Sequence, residues 1–260
     1  MELKSSESIT VKYHNIFDYR LTKEEAIKWQ YKNQNIVVRG DKNKSRLQRE
    51  KYSQNKLKIA KKAAKLISKV PTVLFVGITG SLAMMNADKN SDIDFLIITR
   101  ANALWMTRLL SYIVLWLNGY KTRKPELNSE KDKLCLNMWL DESNLVWNKK
   151  YRNIYTAHEI AQIVPLINKE HVYKKFLFLN KWILKFWPKS VKILSYKDNR
   201  IFREYAKSNL LVSFIEYIAF KIQYIYMKNK ITTEIVTPNK AIFHKNDWSK
   251  KVLITLKAID

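Results

Sequence analysis

Residues 73–98, VLFVGITGSLAMMNADKNSDIDFLII, constrain the fold of this chain more than any other stretch. Residues 73–76 form a short apolar run between Pro71 and Gly77, and residues 95–98 form a second. Both have the length and β-branched content of buried strands. Only 4 glycines occur in 260 residues, well below the usual share, yet Gly77 and Gly80 both fall here. Backbone freedom is concentrated in one place. The pattern predicts strand, tight turn, short helix, loop and strand. Gly80-Ser81 at the start of that helix frees backbone N–H groups and a hydroxyl to meet an anion, with the helix dipole adding to the attraction. A phosphate is the natural guest.

Past the helix comes Ser91-Asp92-Ile93-Asp94, leading into the second apolar run. Alternate side chains of a strand share a face, so Asp92 and Asp94 point the same way. Two such carboxylates repel unless a cation lies between them, and hard oxygen donors suit Mg²⁺ or Mn²⁺, which also take oxygens from a nucleotide phosphate. An isolated D-x-D also occurs as an acidic turn before a strand. The Gly-Ser ahead of this one favours the metal reading.

Gly80-Ser81, a short spacer and Asp92-Ile93-Asp94, flanked by apolar strands, resemble the signature of the polymerase-beta-like nucleotidyltransferase superfamily. Together with residues 134–137, 153–166 and 241–244, they resemble a bacterial branch of nucleotidyltransferase-domain proteins over most of the chain. The resemblance implies an α/β (α+β) fold, with a small mixed sheet flanked by helices plus a helical C-terminal region. It gives Gly80, Ser81 and the neighbouring Ser91 a phosphate-binding role. It gives Asp92 and Asp94 the role of holding Mg²⁺ for transfer of a nucleoside monophosphate from an NTP to an acceptor. The superfamily carries a third carboxylate on a following strand, and here the central polar position is Asn137. An amide offers an oxygen but cannot act as a base. Asp141, or Asp132 before the strand, would fill the place in another register. Two functions are therefore carried forward: a Mg²⁺-dependent nucleotidyltransferase, and a catalytically degenerate module of the same fold that binds nucleotide, RNA or DNA.

A 47% apolar share is enough to bury a core. The single cysteine, Cys135, allows no internal disulfide, and the first twenty residues hold no apolar leader, so a cytoplasmic protein is expected. No transmembrane segment is expected, because residues 109–117 are too short and residues 209–227 are interrupted by Glu216, Lys221 and Gln223. The net charge of +25 favours polyanions, triphosphates or an anionic membrane surface, and disfavours a cationic substrate such as an aminoglycoside. A lysine- and asparagine-rich composition also follows from an AT-rich coding sequence.

Around the central stretch, Thr22 and Glu25 have capping-box spacing for a helix reaching about Lys32, and residues 36–39 read as a short strand. Residues 1–50 are thus an extension, read either as a reduced winged helix or as a brace on the core. Residues 41–69 read as one or two basic helices with Leu57, Ala60, Ala64 and Ile67 inward and Lys56, Lys58, Lys61, Lys62, Lys65 and Lys69 outward. That lysine face is either solvated surface or a track for RNA or DNA phosphates. Residues 51–150 form the core domain, with a buried helix over 101–117 closed by Gly119 and a strand over 133–141. In that strand Leu134, Leu136, Met138 and Leu140 share one side. Residues 151–260 are expected to be helical, with Pro165 ending one helix and a long apolar one over 203–230 packed on the core. His158-Glu159 lacks the second histidine of a zinc motif, so His158 is read as structural or as touching the acceptor.

Overall fold

The computed structural model describes residues 8–34, 36, 38, 42–123, 131–193, 210–243 and 248–259. In chain order the elements are α1 (Ile9–Asn15), α2 (Lys23–Lys28), α3 (Lys44–Ile67), β1 (Val73–Ile78), α4 (Gly80–Ala83), β2 (Ile93–Thr99) and α5 (Leu104–Leu117). These are followed by β3 (Leu134–Asp141), α6 (Ile154–Ala161), β4 (Val164–Asn168), α7 (Val172–Leu179), α8 (Leu210–Met227), β5 (Ile235–Thr237), β6 (Lys240–Ile242) and α9 (Trp248–Ile259). The chain is a mixed α/β protein. Its sheet has the order β4-β1-β2-β3-β6-β5 among the described residues, and β2 and β3 pair parallel while the other neighbours are antiparallel.

Both apolar runs are central strands, buried on both faces. One face packs Ala60, Ala64 and Ile67 of α3, Leu104 and Trp105 of α5 and Ala219 of α8. The other packs the N-terminal helices with α6, α7 and α9 through Tyr13, Trp29, Ile160, Phe176 and Val252. The alternation expected of β3 breaks in the middle. Its register with β2 slips between the Asp94–Cys135 and Leu96–Met138 pairs, the signature of a bulge. Leu134 and Leu136 therefore join the α3/α5 side, and Met138 and Leu140 the opposite one.

Several local expectations change in the tertiary context. The capping box at Thr22 and Glu25 forms, but α2 ends at Lys28. Residues 37 and 39 of the expected strand lie outside the described residues, and Ile36 and Val38 are not in a strand. Residues 41–69 carry one helix, α3, which runs without a break through residue 50. The region after residue 150 is only partly helical, since it supplies β4, β5 and β6 to the sheet. Pro165 sits within β4, not merely at the end of α6; β4 is an edge strand, where a missing N–H costs no ladder bond. Gly119 does follow α5 in the left-handed region, at φ 75°. The helix expected to be buried over 101–117 is so only on one side: Trp105 is buried, but Trp116 is 74% exposed.

The long C-terminal helix departs furthest from expectation. Leu210–Lys230 is long and apolar enough to cross a membrane by length and composition, and little of it is buried. Glu216 and Gln223, read as interruptions, face α5 instead, whereas Lys221 is exposed. Residues 203–209 of the expected helix lie outside the described residues.

Candidate active-site cleft

The ends of β1, β2 and β3 open into a cleft of about 1110 Å³, and Gly80, Ser81, Ser91, Asp92, Asp94 and Asn137 all line it. The sequence-predicted residues are thus brought together. Gly80 leaves β1 at φ 60°, and a Cβ placed on it would stand 2.6 Å from Asp94 Oδ2. Only glycine allows that carboxylate so close to the turn. Gly77 has a different reason to be glycine, because the Phe75 ring occupies the space a Cβ would take. The helix after Gly80 is a single turn, so its macrodipole is negligible and any anion site rests on N–H groups and the Ser81 hydroxyl.

Asp92 and Asp94 face the same space as Cys135, and one donor atom from each lies within 4.8 Å of the others. Cys135 is there because it opposes Asp94 in the parallel register. Two positions along, just before the bulge takes effect, Asn137 presents its amide: Nδ2 donates to Asp94 Oδ1 over 2.7 Å, while Oδ1 is buried without a hydrogen-bond partner. Arg123 donates to Asp92 Oδ2 over 3.0 Å, supplying positive charge where the two aspartates would otherwise repel. Burial pushes the Cys135 thiol well up, and the nearby Asp94 and Asp92 charges add to this against a smaller opposing effect of Arg123. The group is a neutral thiol at pH 7.

The loop that carries Ser91 and Asp92 is braced by α3. Ser53 Oγ accepts from Ala87 N over 3.0 Å, Arg49 donates to Asn86 Oδ1, and Lys56 Nζ donates to the Ser91 carbonyl and to Asp132, each over 2.7 Å. These residues recur at helical spacing on one face of α3. Lys56 is therefore buried, in contrast to the solvent-facing lysine expected, whereas Lys58, Lys61, Lys62, Lys65 and Lys69 are not. The same geometry uses up Asp132. Asp141 is consumed as well: fully buried, it accepts from Asn102 N and Ser143 N. Neither acid lines the cleft, so neither supplies a third carboxylate.

Glu159 of α6 is a carboxyl that sequence reasoning passed over. It lines the cleft, accepts a hydrogen bond from Gln162 over 2.6 Å, and is raised to about 8 by burial and then by the negative charge of Asp94. Its neighbour His158, which also lines the cleft, is buried in an aromatic cluster. The His158 ring stacks on Trp29 at 4.1 Å, and its Nε2 lies 3.3 Å from that of His14. With His14 Nδ1–H donating to the Thr10 carbonyl, the His14 Nε2 is the acceptor for His158 Nε2–H. Two neutral rings satisfy this arrangement, and burial lowers both pKa values, His14 to about 4. Only helical spacing on α3 could have disclosed Lys56 from the sequence. Glu159 and Arg123 carried no such signal. No protein-family model and no curated protein matches this chain.

Proposed function

We propose that the protein is a Mg²⁺-dependent nucleotidyltransferase, moving a nucleoside monophosphate from an NTP to an acceptor with release of pyrophosphate. The observation that carries this reading is the packing of Gly80 directly against Asp94, with Asp92 beside it. A turn with free N–H groups and a pair of carboxylates then meet in one cleft. The donor set fits a hard divalent cation: two carboxylates and, on Asn137, a buried carbonyl oxygen with no other partner. Asp92 and Asp94 would hold the cation. When bound, it supplies charge neutralisation at the phosphate oxygens and the leaving pyrophosphate.

The chain's own residues do the remainder. Gly80 and Ser81 bind phosphate oxygens through N–H and hydroxyl groups, and Arg49 and Arg123 along the cleft add positive charge for a triphosphate. Asn137 fixes the rotamer of Asp94. Glu159 is the carboxyl near Asp94 that, once ionised, can take the proton of an acceptor hydroxyl, a task for which the amide of Asn137 is chemically unsuited.

The pairing of Arg123 with Asp92 favours a second reading, a module that binds nucleotide or polynucleotide without turnover. Incubation with each α-labelled NTP and Mg²⁺ separates the two. Pyrophosphate release that disappears in the Asp92→Asn plus Asp94→Asn double variant is the expected result. Silence with every nucleotide in a folded protein that still retains NTP or RNA would reject catalysis in favour of the binding module.

A further inference from the structure

α8 is held to α5 by a narrow polar strip. Glu216 accepts from the backbone N–H of Trp105 over 2.5 Å and of Met106 over 3.0 Å, satisfying donors at the start of α5. Gln223 donates to the Trp105 carbonyl over 2.8 Å and accepts from Arg108 over 2.6 Å. Away from this strip, Leu211, Phe214, Ile218, Ile222 and Ile225 recur at helical spacing as an exposed apolar stripe of α8. Leu211, Phe214 and Ile225 of α8 are each about 60% exposed, and Ile113 and Trp116 of α5 are exposed as well. Scattered exposed apolar residues are ordinary, but a contiguous face of this kind marks an interaction surface.

Charge selects the occupant. Glu216 is the only acid in either helix, and it is buried at the α5 contact. Among the described residues, the exposed charges on and just after α8 are Lys221, Lys228 and Lys230, on a chain of net charge +25. A second copy would bring these lysines against themselves across a two-fold axis, with no exposed acid among the described residues of α5 and α8 to answer them. We propose that the α5/α8 face docks on a membrane surface that carries anionic lipids. Phe214, Ile225 and Trp116 enter the boundary of the acyl region, Tyr217 and Tyr226 sit at headgroup level, and the lysines meet lipid phosphates.

The helix lies in the plane of the membrane and does not cross it. Crossing would strip Glu216 and Gln223 from their α5 partners and carry them into hydrocarbon. Ile222 and Tyr226 also line the cleft, so docking sets one edge of its mouth at the lipid surface. This holds whatever reaction the cleft performs.

Co-sedimentation of the full chain with phosphatidylcholine vesicles, with and without phosphatidylglycerol, tests the proposal. Binding is expected only with phosphatidylglycerol, falling with salt. Phe214→Asp and Trp116→Asp, both at exposed positions, should each weaken it roughly ten-fold or more. Should either fail to give a wild-type circular dichroism spectrum, Lys221→Glu with Lys228→Glu serves in its place, with a loss of about five-fold or more per site. Failure to bind anionic vesicles at low salt would overturn the proposal, as would binding that all these variants retain. So would a dimer in light scattering that Phe214→Asp dissociates, since the face would then belong to a second copy.

Discussion

Asn137 and Asp94 are tied across the β2–β3 ladder by a 2.7 Å hydrogen bond from the amide Nδ2 to the carboxylate Oδ1. The amide thereby stands where a third acid would otherwise crowd the pair Asp92 and Asp94. Asn137→Asp exchanges a charge-assisted bond for a like-charge contact, costing on the order of 2 kcal/mol, or roughly 4–8 °C in Tm for a chain of this size. A divalent cation should recover that loss. The expected result in a thermal melt is a lower Tm without Mg²⁺ and a larger rise on adding it than wild type shows. An equal rise in both proteins would argue that no cation binds beside Asp94.

Gly80→Ala should damage the site more than the fold. The left-handed backbone costs a β-carbon about 1–2 kcal/mol, and that carbon would lie 2.6 Å from Asp94 Oδ2. Because Asp94 sits on a strand buried on both sides, the carboxylate has to rotate away. NTP affinity in the presence of Mg²⁺ should fall ten-fold or more while the cooperative melt persists. Affinity within a factor of two of wild type would show that the turn does not touch the phosphates.

Lys56→Met keeps the volume and removes the charge. It leaves the Ser91 carbonyl and Asp132 without their shared donor. Asp132 is 37% exposed and water can replace part of the loss, so the cost is about 1–3 kcal/mol. Hydrogen exchange should quicken over residues 86–92 and leave the amides of β1 unchanged. An unchanged loop would mean that α3 does not brace the site.

The pH dependence of the metal-free protein follows from the paired histidines. His14 is held at about 4 by burial, against 6.5 when exposed, and His158 is lowered for the same reason. Between these values the unfolded chain binds more protons, so stability rises with pH, and acidification removes about 1.4 kcal/mol per pH unit for His14 alone. Glu159 works the other way, because its folded value of about 8 exceeds the ordinary 4.5 and favours the fold at lower pH. Two imidazoles outweigh Glu159 together with Glu142 and Glu216, which burial raises less, between pH 6.5 and 4.5. Urea midpoints should fall across that window, and less steeply in a His158→Gln variant. A flat profile would mean that the pair is not neutral in the fold.

The capping box at Thr22 shows how far local sequence reaches. The spacing predicted it and the structure contains it, but its Glu25 also pairs with the buried Arg46 of α3 and accepts from Tyr19. Burial opposes the charge on Glu25, yet Arg46 and the Thr22 N–H hold it at about 2. A cap is a contact over three residues and can be read directly. The ion pair joins residues 21 apart and cannot.

The same division runs through the whole molecule. The sequence by itself determined the two central strands, the glycine turn between them and the placing of Asp92 and Asp94 on one face, because these depend on periodicity over a few residues. Tertiary structure alone decided that Lys56 reaches the Ser91 carbonyl, that Glu159 joins the cleft, and that a bulge in β3 sends Met138 and Leu140 to the face opposite Leu134 and Leu136. It also decided that Glu216 fixes α8 to α5 while the apolar residues around it stay exposed. Hydrophobicity says that a face will be covered, but the positions of distant backbone donors decide which face turns inward.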